Sequence, residues 1–365
     1  MSQDVGTVRQ RRVVDKAAVE SFMDRVVGDY AGANAFFMGG IGDRLGLFKD
    51  LAQRGPATST EFAERTGLHE RYVREWLGGM AAAGYLTYEP ATERYTVPPE
   101  HAPVLAEEAG PWFLGCAFFD YSTYFGETFH ALLDAFRNGG GVRQDLHGAE
   151  VAESIDRFTA PWFENSLVPL WLPEMPDVLS RLEGGAAVCD VGCGRGRALV
   201  KLAEAFPAST FVGYDIYAPA VKGAIQRAEE AGVDDRVRFE VRDVAQGVPG
   251  QFDVITTFDV LHDSADPEGL LGAIRAALKP DGVYLCLEIN CADRPEDNIG
   301  PLGTVLYGLS LAYCLSVSLA EGGAGLGTLG LPESKLRQLA LGRGYSEVAR
   351  VPVEDAFCSL YVLRP

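Results

Sequence analysis

The 365-residue sequence has no C-x-x-C pair, and its seven cysteines, at 116, 189, 193, 286, 291, 314 and 358, have no histidine cluster beside them. That scatter offers no zinc-ligand spacing, and the odd count predicts reduced thiols and no metal. Basic charge is also scarce: 32 Lys and Arg face 51 Asp and Glu, a formal net charge of −19. Such a field repels nucleic-acid phosphates and anionic lipid, so a small molecule is the expected partner and neither nucleic acid nor membrane is. The opening MSQDVGTVRQRRVVDK carries charges where a secretion signal needs an apolar run, which predicts a cytoplasmic protein.

One stretch strains that reading. No charge occurs from Asn298 to Ala320, close to membrane-spanning length. Thr304, Ser310, Ser316 and Ser318 interrupt it, its flanks are acidic, and predicted strands lie on both sides, so it is expected to be a helix of a folded domain. With 47% hydrophobic and 23% charged residues the chain has ample material for a core, and its length suits two units.

Residues 17–38 carry apolar side chains at helical spacing, and GDRLGLFKDLAQRG forms a second short helix ending at Gly55. Thr58 to Glu61 resembles a helix N-cap before EFAERTG, and HERYVREWLGGMAAAGYL is a longer helix closing at Gly84. YLTYEPATERYTV then predicts two strands about a turn. Three helices and a β-wing resemble a winged-helix unit, which serves some proteins for DNA binding and others for dimerisation. Arg71 and Arg74 would face DNA, but Glu70, Glu75, Glu89 and Glu93 oppose that use. Residues 106–180 are helical and rich in aromatics, broken at Gly139-Gly-Gly141. Such aromatics are core material, and their position also makes Trp162 and Asn165 candidate substrate contacts.

From Ala186 the pattern becomes strand, glycine turn and helix in repetition, the mark of a Rossmann-like α/β domain with a parallel sheet. Val188-Cys-Asp190-Val-Gly192-Cys193-Gly194-Arg-Gly196 is a strand entering a glycine turn. Its G-x-G-x-G spacing differs from the G-x-G-x-x-G of dinucleotide sites and favours a ligand lacking a pyrophosphate. Asp215 ends the next strand, where a carboxylate can accept ribose hydroxyls, with Ile216 beside it; Asp243 and Val244 follow the third strand, placed for an adenine ring. Phe258-Asp259-Val-Leu-His262-Asp263 ends the fourth.

VCDVGCGRGRAL, FVGYDI, VRDV, FDVLHD and LKPDGVYLCLE resemble the successive motifs of class I S-adenosylmethionine-dependent methyltransferases, over about residue 176 to the end. With the winged-helix-like start, the whole chain resembles small-molecule methyltransferases of an actinobacterial type with an N-terminal dimerisation domain. The resemblance implies S-adenosyl-L-methionine as cofactor, with Asp190, Gly192, Cys193 and Gly194 at its methionine end, Asp215 and Ile216 at the ribose, Asp243 and Val244 at the adenine, and Phe258 on the floor. It implies His262 as a catalytic base for O-methylation, since imidazole titrates near working pH. Tyr307 and Tyr313, in the uncharged helix, are further candidate substrate contacts, and His147 is expected at the surface.

The expected organisation is a winged-helix-like dimerisation domain over 1–105, a helical linker and pocket segment over 106–175, and the cofactor-binding domain over 176–365. The expected activity is methyl transfer to a small, largely apolar secondary metabolite by a cytoplasmic homodimer. Two alternatives are a ligand-responsive winged-helix regulator and a methyltransferase-like enzyme using the cofactor for another reaction such as cyclisation. Gly325-Leu-Gly327-Thr-Leu-Gly330 matches G-x-G-x-x-G but follows no strand, and is read as a mobile lid. A helix and two strands, the last antiparallel, should close the chain.

Overall fold

The computed structural model describes residues 14–118, 128–148 and 150–365. The first thirteen residues and Phe119, Tyr121, Tyr124 and Phe125 of the aromatic run lie outside the described residues. The chain divides into two compact units, Met1–Ala102 and Pro103–Pro365. Residues 106–175, expected as a helical linker and pocket segment, fall within the second of these units. The reason is packing: Trp162, Phe163, Leu167 and Trp171 share one core with Val188, Leu199 and Phe258 of the sheet domain.

The first unit comprises α1 (Lys16–Arg44), α2 (Leu47–Arg54), α3 (Ser59–Thr66), α4 (Glu70–Ala82), β1 (Thr87–Glu89) and β2 (Arg94–Thr96). Thr58 and Glu61 complete a reciprocal capping box at α3, satisfying amides that the first turn leaves open. Phe48, Phe62, Trp76, Leu77 and Met80 form the core, and β1 pairs antiparallel with β2 as the wing. On α4, Arg74 pairs with Glu70 at 2.6 Å and Arg71 with Glu75, so both arginines have a carboxylate on their own helix.

In the second unit α5 (Phe129–Asn138) and α6 (Val151–Trp162) precede α7 (Pro176–Gly184). Then β3 (Ala187–Val191), α8 (Arg197–Ala205), β4 (Thr210–Asp215), α9 (Ala218–Ala231), β5 (Val237–Val241), β6 (Phe252–Phe258), α10 (Pro267–Ala277) and β7 (Leu278–Ile289) build the sheet. The helical stretch α11 (Pro301–Ala320) leads to α12 (Glu333–Gly342), β8 (Glu347–Arg350) and β9 (Cys358–Arg364). The strand order is β5-β4-β3-β6-β7-β9-β8, parallel except for β9, which runs antiparallel to both β7 and β8. Helices cover both faces, so the inner strands are nearly continuous apolar runs. Order reverses beside β3, so the ligand crevice of an open α/β sheet should lie at the carboxyl ends of β3, β4 and β6.

The uncharged stretch is one continuous helix with a π-helical segment, Ser310–Cys314, in its middle. By length and composition it could cross a membrane; here Gly303, Leu306, Ala312, Tyr313, Ser316 and Ser318 are buried. Its serines tie down the glycine-rich loop: Ser310 Oγ accepts the Thr328 amide at 3.1 Å and Ser318 Oγ the Gly325 amide at 3.1 Å. A Cβ on Gly327, whose φ is +73°, would collide with Ser310 Oγ. Close packing against α11 accounts for the glycine at 327, and in this conformation the expected lid segment lies tied to that helix.

Candidate active site

Beyond the carboxyl ends of β3, β4, β5 and β6, the second unit encloses a cavity of about 610 Å³. Its wall includes Gly192, Gly194, Asp215, Ile216, Asp243, Val244 and Phe258, seven of the residues expected to bind the cofactor. The turn after β3 needs its glycines, because positive φ is strained for residues with a Cβ. Gly192 has φ +72° and Gly194 +52°, and a Cβ on Gly192 would lie 2.6 Å from a Val260 methyl. The Gly194 amide donates to Asp215 Oδ2 at 2.8 Å, and the Tyr217 amide donates to Asp215 Oδ1 at 2.8 Å, so the β4 carboxylate is fixed across the turn. Asp243 caps the short turn that follows it, accepting the Ala245 amide at 2.9 Å.

Two of the nine cofactor candidates point elsewhere. Asp190 is buried under the turn and accepts a 2.6 Å hydrogen bond from Thr256 Oγ1. Burial pushes its pKa up to about 7. Cys193 turns its thiol into the core, where Gly213 leaves room for it: a Cβ there would lie 2.8 Å from the sulfur. Both residues shape the turn from behind.

Among the candidate substrate contacts, only Tyr313 reaches the cavity. Its hydroxyl accepts a hydrogen bond from Gln144 Nε2 at 3.0 Å, and Gln144 lines the same wall. Trp162 is buried in the core against Phe158. Asn165 donates to the carbonyls of Pro161 and Ala109 at 3.2 and 3.3 Å, and Tyr307 lies half-exposed outside the lining. His147, expected at the surface, is buried with its ring edge-on to Tyr313 at 5.0 Å, and burial pushes its pKa down to about 4.

His262 sits in the turn after β6, is 1% exposed and does not line the cavity. Its Nδ1 lies 2.7 Å from Glu288 Oε2, while Glu288 Oε1 accepts the Leu261 amide at 2.8 Å. The thiol of Cys314, from the π-helical segment, lies within 4.8 Å of the same ring. Burial opposes charge on His262, but the Glu288 carboxylate, with Cys314, Asp259 and Asp263, outweighs it and holds the imidazole well above its usual pKa. The expected acceptor-facing base is thus drawn inward by a carboxylate on β7.

The groups that do face the cavity here are Asp259 and Asp263. Asp259 adopts φ 64° after β6. Asp tolerates that conformation better than most residues. Its Oδ1 is buried, has no hydrogen-bond partner among the described residues, and stands 3.6 Å from His262 Nδ1. Burial pushes Asp259 up to about 6 and Asp263 up to about 7. With Asp215, Asp243, Asp266 and Glu321, six carboxylates line the cavity against Arg242 as its basic residue. The sequence pattern gives Asp263 a place in a motif and no role; the one legible signal for Glu288 is a charge inside the apolar run VYLCLEI.

This donor set suits S-adenosylmethionine. The glycine turn leaves space that a Cβ would fill, carboxylates end β4 and follow β5, and Ile216 and Val244 offer apolar surface. The excess of carboxylates over basic groups in the lining, including an Asp259 oxygen without a hydrogen bond among the described residues, favours a cationic sulfonium.

A seven-stranded sheet with this order and this site defines a class I S-adenosylmethionine-dependent methyltransferase. Comparison with protein families agrees: a methyltransferase-domain model matches residues 182–303 and an Rv2258c-like winged helix-turn-helix model matches residues 33–107. The chain therefore carries a class I methyltransferase domain behind a winged-helix domain. A similar curated protein is the mitomycin biosynthesis 6-O-methyltransferase of Streptomyces lavendulae, 27% identical over 261 residues, covering 67% of this chain and 72% of that one. Similar folds include the mitomycin 7-O-methyltransferase (TM-score 0.69, 21% identity, 96% of this chain and 100% of that one). Another is human N-acetylserotonin methyltransferase in complex with S-adenosylmethionine (TM-score 0.67, 19% identity, 97% and 99%). At these identities the structural likenesses establish the fold.

Proposed function

We propose that the enzyme transfers the methyl group of S-adenosylmethionine to an oxygen of a small secondary metabolite. The acidic cavity carries this reading, with support from the O-methyltransferase named among the relatives. The bound cofactor supplies an electrophilic methyl group on a sulfonium. Gly192 and Gly194 would admit its methionine end, Asp215 the ribose, and Asp243 with Ile216 and Val244 the adenine. The remaining wall, Gln144, Ile155, Asp263, Tyr313 and Val317, would orient the acceptor. Alignment and exclusion of water supply most of the catalysis in such a displacement. Asp263 faces that wall with a pKa near working pH, so it is the group proposed to take the acceptor proton, with His262 behind it held by Glu288. Trp162, Asn165 and Tyr307 are left out of the acceptor wall on their placement.

The first unit is proposed to form a homodimer interface. Phe22, Met23, Val26, Val27 and Tyr30 of α1 are all exposed, an unusual apolar load for one helix in water.

Incubation with methyl-labelled S-adenosylmethionine and a panel of phenols, alcohols and amines tests the activity. S-adenosylhomocysteine and an O-methylated product should accumulate together, and Asp263→Asn should lower the rate by about a hundredfold or more, as loss of a general base does. Products that are transformed without carrying label would show that the cofactor serves another reaction.

A further inference from the structure

The groups around the glycine turn are held by a carboxylate that the cofactor site does not contain. Asp156 lies on α6, is 8% exposed and receives two arginines in full. Its Oδ1 accepts from Arg197 Nε at 3.1 Å and Arg227 Nη1 at 2.8 Å; its Oδ2 accepts from Arg197 Nη2 and Arg227 Nη2, both at 2.7 Å. Arg195 Nε stands 3.9 Å from the same Oδ2. All three arginines bear on the turn. Arg195 separates Gly194 from Gly196, Arg197 opens α8, and Arg227 Nη1 also donates to the Arg195 carbonyl at 2.6 Å. Arg195 lies across α9 at Gly223, where a Cβ would come within 3.2 Å of its guanidinium carbon. Glu164 extends the cluster, pairing with Arg197 and Lys201 at 2.8 Å each.

We infer that Asp156 is the positioning residue for the cofactor-binding turn, and that through it α6 ties the acceptor wall to that turn. The second clause rests on the helix itself, which presents Ala152 and Ile155 to the cavity within about one turn of Asp156. Two bidentate pairs to one buried carboxylate are geometrically demanding, because the planar guanidinium groups fix the direction of each bond. Removing that carboxylate leaves three arginines near each other in a partly buried site without their common partner, which should drive them outward. The Arg195 carbonyl would then lose the tether that Arg227 provides, and Gly194 and Gly196, both at positive φ, would lose the frame that confines them.

This inference rests on the cofactor assignment for its ligand, and it is tested so that the two can fail separately. Full-length Asp156→Asn and Asp156→Ala are compared with wild type and with Asp253→Asn, which weakens a carboxylate contact to Lys279 and the Ala187 amide away from the turn. Calorimetric titration with S-adenosylhomocysteine should show affinity lost by about tenfold or more in Asp156→Ala and less in Asp156→Asn, while Asp253→Asn stays within about twofold at a comparable fall in Tm. In the ligand-free proteins, amide exchange over residues 193–198 should accelerate in Asp156→Ala and stay unchanged in Asp253→Asn. Unchanged exchange in Asp156→Ala overturns the positioning role. Affinity that falls only in proportion to Tm across all variants reduces Asp156 to a stabilising contact and overturns it too. Wild-type protein that fails to bind S-adenosylhomocysteine counts against the cofactor assignment alone, and the exchange measurement then decides the positioning role.

Discussion

Asp259 and Asp263 are carboxylates whose charge is disfavoured by burial beside the cavity, with pKa values pushed up to about 6 and about 7. A sulfonium nearby stabilises their ionised forms, whereas the uncharged sulfur of S-adenosylhomocysteine does so far less. Binding of S-adenosylmethionine near pH 6.5 should therefore release protons, and its affinity should rise from pH 5.5 to pH 8 more than that of S-adenosylhomocysteine. Titrations in buffers of different ionisation enthalpy count those protons. Equal proton release for both ligands would contradict the electrostatic reading of the cavity. At this scale the sequence is legible where backbone chemistry dictates the residue: Gly192, Gly194, Asp215, Asp243 and Phe258 all stand on the cavity wall. It is least legible where a side chain has two directions to turn. Cys193 faces the core because Gly213 opens space there, and His262 faces inward because Glu288 reaches it from a strand 26 residues away.

Most elements follow from periodicity and caps. The Thr58 capping box, the wing of β1 and β2, the alternating strands and helices from β3 onward and the antiparallel final strand all obey local rules that act within a few residues. The glycine-rich segment after α11 does not, because what restrains it is distant in sequence. Ser310 and Ser318 on α11 accept its amides, and the Ala324 amide donates to the Ala265 carbonyl at 2.8 Å. Hydrogen exchange should accordingly find the amides of Ala324, Gly325 and Thr328 protected in the ligand-free protein. Ser310→Ala leaves the buried Thr328 amide without its acceptor. That loss should cost about 1–3 kcal/mol and raise exchange at Thr328. Protection unaffected by cofactor would count against the expected lid, and rapid exchange in wild type, slowed by cofactor, would support it. The same limit hides His147: nothing local to it signals that Tyr313, far along the chain, covers its ring.

At the scale of the whole molecule, a winged-helix unit with paired arginines on α4 and a chain charge of −19 gives little for a phosphate backbone to hold, and α1 instead offers apolar surface. If a second copy covers that surface, sedimentation should report a dimer, and Phe22→Glu with Val26→Glu should shift it to monomer while the methyltransferase unit keeps its Tm. A monomeric wild type at micromolar concentration would contradict the proposed interface. The two units are separable in the sequence because their patterns differ, winged-helix capping against strand-turn-helix repetition. The segment 106–175 is not assignable that way, since aromatic helices carry no mark of which core they enter; Trp162, Phe163 and Trp171 enter that of the sheet domain.

For the enzyme to work as proposed, the cavity beyond β3, β4 and β6 must hold S-adenosylmethionine. Calorimetric titration of wild-type protein and Asp215→Ala with S-adenosylmethionine and S-adenosylhomocysteine addresses this most directly. Binding at about 1:1 with micromolar affinity, lost by about tenfold or more in the folded variant, is the predicted result. Correctly folded wild-type protein that binds neither ligand, or a variant that binds both as wild type does, would contradict it.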